Sequence, residues 1–119
     1  MKYFKPEEFS CKCGKCDHGY DMMDEKLLVM LDALREKAGI PLVLSSAFRC
    51  PAHNKVIGGV TESSHTKGKA VDIRCTDSKN RFKILKAAFE VGFRRIEPKS
   101  TWVHVDVDET KPQDVVFYD

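Results

Sequence analysis

The chain has 119 residues, 42% of them hydrophobic, and its 20 Lys+Arg against 18 Asp+Glu leave a formal charge of +2. That length points to one domain over residues 1–119 with a modest core, and the balanced charge, with no basic block, argues against a nucleic-acid partner. No apolar run approaches the roughly 18 residues of a membrane span.

The segment Met1 to Phe9 lacks the apolar core of a secretory signal. The expectation is therefore a soluble product made in the cytoplasm, which needs another agent to release it if it acts outside the membrane. The five cysteines are Cys11, Cys13, Cys16, Cys50 and Cys75. An odd number in a cytoplasmic product favours thiols over a disulfide framework.

Residues up to about Asp21 read as a loop. Asp24 can cap a helix running to about Ala38, with Leu27, Leu31, Leu34 and Ala38 on one face and Gly39 as the stop. Pro41 to Ser46 reads as a short buried strand, and Pro51 suits the start of a short helix ending near Gly58-Gly59. After a polar, turn-rich stretch, Ala70 to Cys75 reads as a strand. Asp77 or Ser78 caps a second long helix whose apolar face reads as Phe82, Leu85, Ala88 and Phe89, ended by Gly92. Phe93 to Ile96 and Trp102 to Val107 read as two further strands, and Val115 to Tyr118 as a short edge strand. The sum is a small α+β domain, a mainly antiparallel sheet with helices packed on one face.

In the last long strand Val103, Val105 and Val107 alternate with Trp102, His104 and Asp106. The valines are the natural core face, so His104 and Asp106 serve one cleft on the other side. Asp72 sits likewise between Val71 and Ile73, where a carboxylate is costly to bury without a partner. His65 precedes Asp72 by seven positions, and Gly68 lets the chain turn between them. Two histidines and one carboxylate form a catalytic type of zinc set with an open fourth position, where the metal acidifies water and polarises a carbonyl. Spacing alone leaves a second reading open, in which these are unrelated polar residues beside a sheet.

Three motifs carry a resemblance. They are Ser46-Ala47-Phe48-Arg49-Cys50-Pro51-Ala52-His53-Asn54, Ser64-His65-Thr66-Lys67-Gly68-Lys69-Ala70-Val71-Asp72-Ile73 and Trp102-Val103-His104-Val105-Asp106. In order, spacing and flanking residues the chain resembles the M15 family of zinc D-Ala-D-Ala carboxypeptidases, and within it the short phage endolysin and peptidase forms. The resemblance covers roughly Phe4 to Val107. It implies a hedgehog-like fold with zinc held by His65, Asp72 and His104. It also implies that Arg49 binds substrate and stabilises the developing oxyanion, as a fixed cation can. A surface salt bridge is the alternative for Arg49. Ser46, Ser64 and Trp102 are further candidates for substrate contact, although the two serines can equally shape turns.

One departure matters. Several branches of the family place the catalytic base three residues before the last zinc ligand, and here that residue is Thr101. Asp106, on the face of His104, is the preferred substitute. Its alternative role is to accept a hydrogen bond from a ligand imidazole. Glu97 is the second candidate, reaching in from the preceding strand end.

Cys13 and Cys16 have knuckle spacing, and with Cys11 and His18 they form a possible second, structural zinc set; unliganded thiols are the other reading. Cys50 and Cys75 read as buried thiols, and His53 as a helix-surface residue or a substrate contact. The functional expectation is a monomeric zinc peptidase acting on peptidoglycan stem peptides, either a carboxypeptidase or an endopeptidase, at the cell wall after holin-type release or from a phage particle. The alternative is a non-catalytic zinc module of the same fold that binds a peptide or a partner protein, which the threonine at position 101 favours.

Overall fold

Side-chain chemistry sets the element boundaries in this computed structural model, which describes residues 1–118. Helix α1 spans Glu25–Ala38. The Asp24 carboxylate accepts the Leu27 amide at its start, and Gly39 closes it in the left-handed region at φ 68°. Strand β1 is Leu44–Ser46, and helix α2 is Pro51–Val56. A 3-10 turn at Ser64–Lys67 ends on Gly68, at φ 69°. Strand β2 follows at Ala70–Arg74, and helix α3 at Ser78–Val91 is capped by Asp77 and stopped by Gly92. Strands β3 (Arg95–Pro98), β4 (Trp102–Asp106) and β5 (Val115–Val116) complete the sheet.

The strand order is β1-β2-β4-β3-β5. All pairings are antiparallel except β3 with β5, so the sheet is mixed but mostly antiparallel, as expected for this α+β fold. One face carries Val71, Ile73, Ile96, Val103 and Val105, each at most 1% exposed. Leu27, Leu31 and Leu34 of α1 and Ile84, Ala87 and Ala88 of α3 join them in one core. Burial of that face is what orients the opposite one, because a strand's side chains alternate.

Two details depart from the sequence reading. The buried stripe of α3 is Ile84, Ala87 and Ala88, while Phe82 and Phe89 are 69% and 58% exposed. Two alanines let α3 lie close along α1, and the bulkier phenylalanines turn outward. Strand β3 also begins two residues later than expected, so that Glu97 lies within it rather than beyond its end.

Candidate metal centre and active site

The register of the sheet builds the site. Ser46 on β1 stands opposite Asp72 on β2, Asp72 opposite His104 on β4, and His104 opposite Glu97 on β3. Directly opposed residues have Cβ atoms about 5 Å apart, so these four form one cross-strand row on the polar face. The next row sets Ala70 beside Asp106 and Asp106 beside Arg95.

His65 reaches this row from the 3-10 turn. The Ser63 hydroxyl caps that turn by accepting the His65 amide, and the Arg49 amide donates to the His65 carbonyl. At Gly68 the backbone passes so close to the Met22 carbonyl that a Cβ would overlap it. The turn therefore redirects the chain from His65 into β2 within a few residues.

His65 Nε2 lies 3.3 Å from Asp72 Oδ1, and His104 Nδ1 lies 3.0 Å from the same oxygen. Ligand atoms of the three residues fall within 4.8 Å of one another. The outward nitrogens are also tied. His65 Nδ1 is 2.8 Å from the Ala47 carbonyl, and His104 Nε2 is 2.7 Å from Asp106 Oδ2. This is how metal-binding imidazoles are held, the second nitrogen on a carbonyl or carboxylate and the first turned towards the other ligands. Two imidazoles and a carboxylate converging in this way fit a zinc ion. Burial alone would raise the Asp72 pKa, but hydrogen bonds from His104 and His65 outweigh it and hold the carboxyl well below its usual range. Burial would lower that of His104, yet its bonds to Asp106 and Asp72 raise it to about 9.

Asp106 is 1% exposed. Its Oδ2 serves His104, and its Oδ1 accepts both Arg95 Nε at 2.7 Å and the Asp108 amide at 3.0 Å. The carboxylate thus stands behind the ring of His104, on the nitrogen that faces away from Asp72 and His65. Asp106 and Glu97 both border the cleft, but the oxygens of Asp106 are taken up by His104, Arg95 and the Asp108 amide, whereas the Glu97 carboxylate lies 3.3 Å from Lys99 Nζ. Thr101 is exposed, and its carbonyl accepts the Cys75 amide.

Arg49 flanks the cluster with all three guanidinium nitrogens anchored. Nε donates to Ser46 Oγ, Nη1 to Asn54 Oδ1, and Nη2 to Asp72 Oδ2 at 3.3 Å. Asn54 in turn donates to the Val60 carbonyl, and a Cβ at Gly59 would overlap the Asn54 amide. Ser46 therefore orients Arg49. Ser64 borders the cleft but is 3% exposed, and its hydroxyl donates to Asp108 at 2.7 Å while accepting from Lys111. Trp102 is half-buried and lines the cleft, whose volume is about 440 Å³.

Sequence reasoning missed Asp108, Arg95 and Asn54. Asp108 is fully buried and accepts from Ser64, Thr110 and Lys67, which ties the loop bearing His65 to the chain just beyond His104. Burial opposes its ionisation, but these donors hold its pKa well below the usual range. Its alternation with Val107 was visible, but its partners Ser64 and Lys67 lie more than forty positions away.

The N-terminal thiols also assemble differently from expectation. Cys11, Cys13 and Cys16 gather with Cys50, and His18 is not among them. Its ring is exposed and pairs with Asp21 at 2.9 Å. An aspartate three residues away is within easier reach than the cysteines, and Cys50 arrives from the loop before α2.

The fold and the site together define a small α+β domain with a His-Asp-His cluster open to a cleft. The family model described as Peptidase M15 matches residues 2–106, nearly the whole chain. The chain belongs to that family and is a peptidase. A search of curated proteins finds no match.

Proposed function

We propose that the protein is a zinc-dependent peptidase that cleaves stem peptides of bacterial peptidoglycan, as one domain that works as a monomer at the cell wall. The observation that carries the metal reading is the paired orientation of the two histidines. Each has one nitrogen against Asp72 and the other on an acceptor outside the cluster, Ala47 for His65 and Asp106 for His104. His65, Asp72 and His104 would hold the ion, and zinc there supplies Lewis acidity toward water and a carbonyl.

The remaining chemistry falls to side chains. Glu97, on the cleft side of His104, accepts the proton of the attacking water and returns it to the leaving amine. Arg49 is a fixed cation beside Asp72, placed to stabilise negative charge that develops on the substrate oxygen. Trp102 offers an apolar wall for the peptide. Asp106 holds the His104 imidazole, which moves the proton-transfer role from Asp106, the first candidate, to Glu97.

The second reading, a non-catalytic zinc module, rests on Thr101 at the usual place of the base. The carboxylate of Glu97 in the same cross-strand row as His104 favours hydrolysis. Incubating the zinc-loaded protein with purified peptidoglycan, followed by mass spectrometry, tests the proposal. Released peptide fragments that vanish with a chelator and return with zinc are expected. Absence of zinc-dependent fragments would overturn the enzymatic reading.

A further inference from the structure

Cys11, Cys13, Cys16 and Cys50 place their sulfur atoms within 4.8 Å of one another. All are free thiols, and the Cys13 and Cys16 sulfurs are 3.4 Å apart, which is no disulfide. Four sulfurs each about 2.3 Å from a central zinc would stand roughly 3.8 Å apart, so the cluster has the size of a tetrahedral site.

The backbone is arranged for thiolates. Cys13 Sγ accepts the amides of Cys16 at 3.2 Å and Lys15 at 3.3 Å. Gly14, at φ 72°, lets the chain turn between the two cysteines of this knuckle. Cys11 Sγ accepts the Cys50 amide at 3.3 Å, and Cys50 Sγ the His53 amide at 3.4 Å. Hydrogen bonds from amides favour the charged form of a sulfur. None of these four sulfurs has a place in the peptidase chemistry above.

We infer that Cys11, Cys13, Cys16 and Cys50 hold a structural zinc ion, separate from the His65, Asp72 and His104 set. Soft thiolates in a tetrahedral set select zinc or iron among the common metals, and four protein ligands leave no position for substrate. The site clamps the N-terminal segment to the loop before α2, across 34 positions from Cys16 to Cys50. Cys50 directly follows Arg49, so the clamp also fixes the backbone next to the substrate-binding arginine.

Metal analysis of the full chain, prepared with zinc and freed of excess, tests this. Two zinc ions per chain are expected in the wild type, one in Cys50→Ser, and two in His18→Ala. A single zinc in the wild type overturns the inference, as does loss of one ion in His18→Ala with both retained in Cys50→Ser. Cobalt loading of the His65→Ala/His104→Ala chain isolates the thiolate site. The expected spectrum has a strong sulfur-to-cobalt charge-transfer band and the intense visible bands of tetrahedral cobalt. If these variants do not fold, the wild-type cobalt spectrum carries the same test. Absence of the charge-transfer band, or an intact mass lighter by the hydrogens of two disulfides, overturns the site.

Discussion

Replacing Asp106 by asparagine separates a base from a support for His104. The carboxylate accepts from His104 Nε2 at 2.7 Å, Arg95 Nε at 2.7 Å and the Asp108 amide at 3.0 Å, with 1% exposure. Asparagine keeps the shape and one acceptor oxygen, so it must serve either His104 or Arg95, and the charge is gone. Loss of a carboxylate behind a metal-bound imidazole costs about 10- to 100-fold in metal affinity, or about 1.4–2.7 kcal/mol. The Arg95 guanidinium, 7% exposed, loses its buried counter-charge. Breaking such a pair costs about 3–5 kcal/mol. The Pro112 carbonyl at 2.7 Å and the Phe117 ring at 4.7 Å retain part of the Arg95 environment, so the lower end is expected. Competition against a chromophoric zinc chelator reads the affinity, and urea unfolding of the metal-free protein reads the stability. Weakened zinc binding and lower stability are the expected pair. Unchanged zinc affinity and stability with cleavage abolished would refute the reasoning and return Asp106 to the role of base.

Glu97→Gln should lower kcat by about 10²- to 10⁴-fold with zinc content unchanged, and wild-type turnover in this variant would remove Glu97 from the mechanism. Gly68→Ala should destabilise the fold by roughly 2–4 kcal/mol, because the added Cβ meets the Met22 carbonyl at a left-handed position; thermal unfolding at wild-type temperature would contradict this. In the metal-free protein His104 holds its proton up to about pH 9, against an ordinary value of 6.5. Its folded pKa is the higher one, so its contribution to stability is complete below about pH 6.5 and fades as pH rises towards 9. Zinc must displace that proton, so apparent zinc affinity should rise between those pH values, with proton release visible by calorimetry in buffers of different ionisation enthalpy. A pH-independent affinity there would count against His104 as a ligand.

Helix limits were legible because their signals are local. Asp24 and Gly39 mark α1, and Asp77 and Gly92 mark α3, each through a side chain or backbone angle that acts on its nearest turn. The face of β4 was legible for a similar reason. Three valines at every second position decide which side is buried, and that assigns His104 to the other side. The stripe of α3 was misread in part because Phe82 and Phe89 suit a helix face by hydropathy, whereas the close approach of α1 selects Ile84 and Ala87 beside the expected Ala88.

Sequence by itself determined the α+β elements and singled out His65, Asp72 and His104, since alternation and motif spacing act over a few residues. Only the tertiary structure decided what each surrounding group touches. Cross-strand register puts Glu97 beside His104, while Asp106 is drawn to the far nitrogen of the same ring by Arg95 and the Asp108 amide. Chain closure likewise brings Cys50 to Cys11 and leaves His18 with Asp21. Such partners are set by how distant segments meet when the core is buried, and no local period of apolar residues records that meeting.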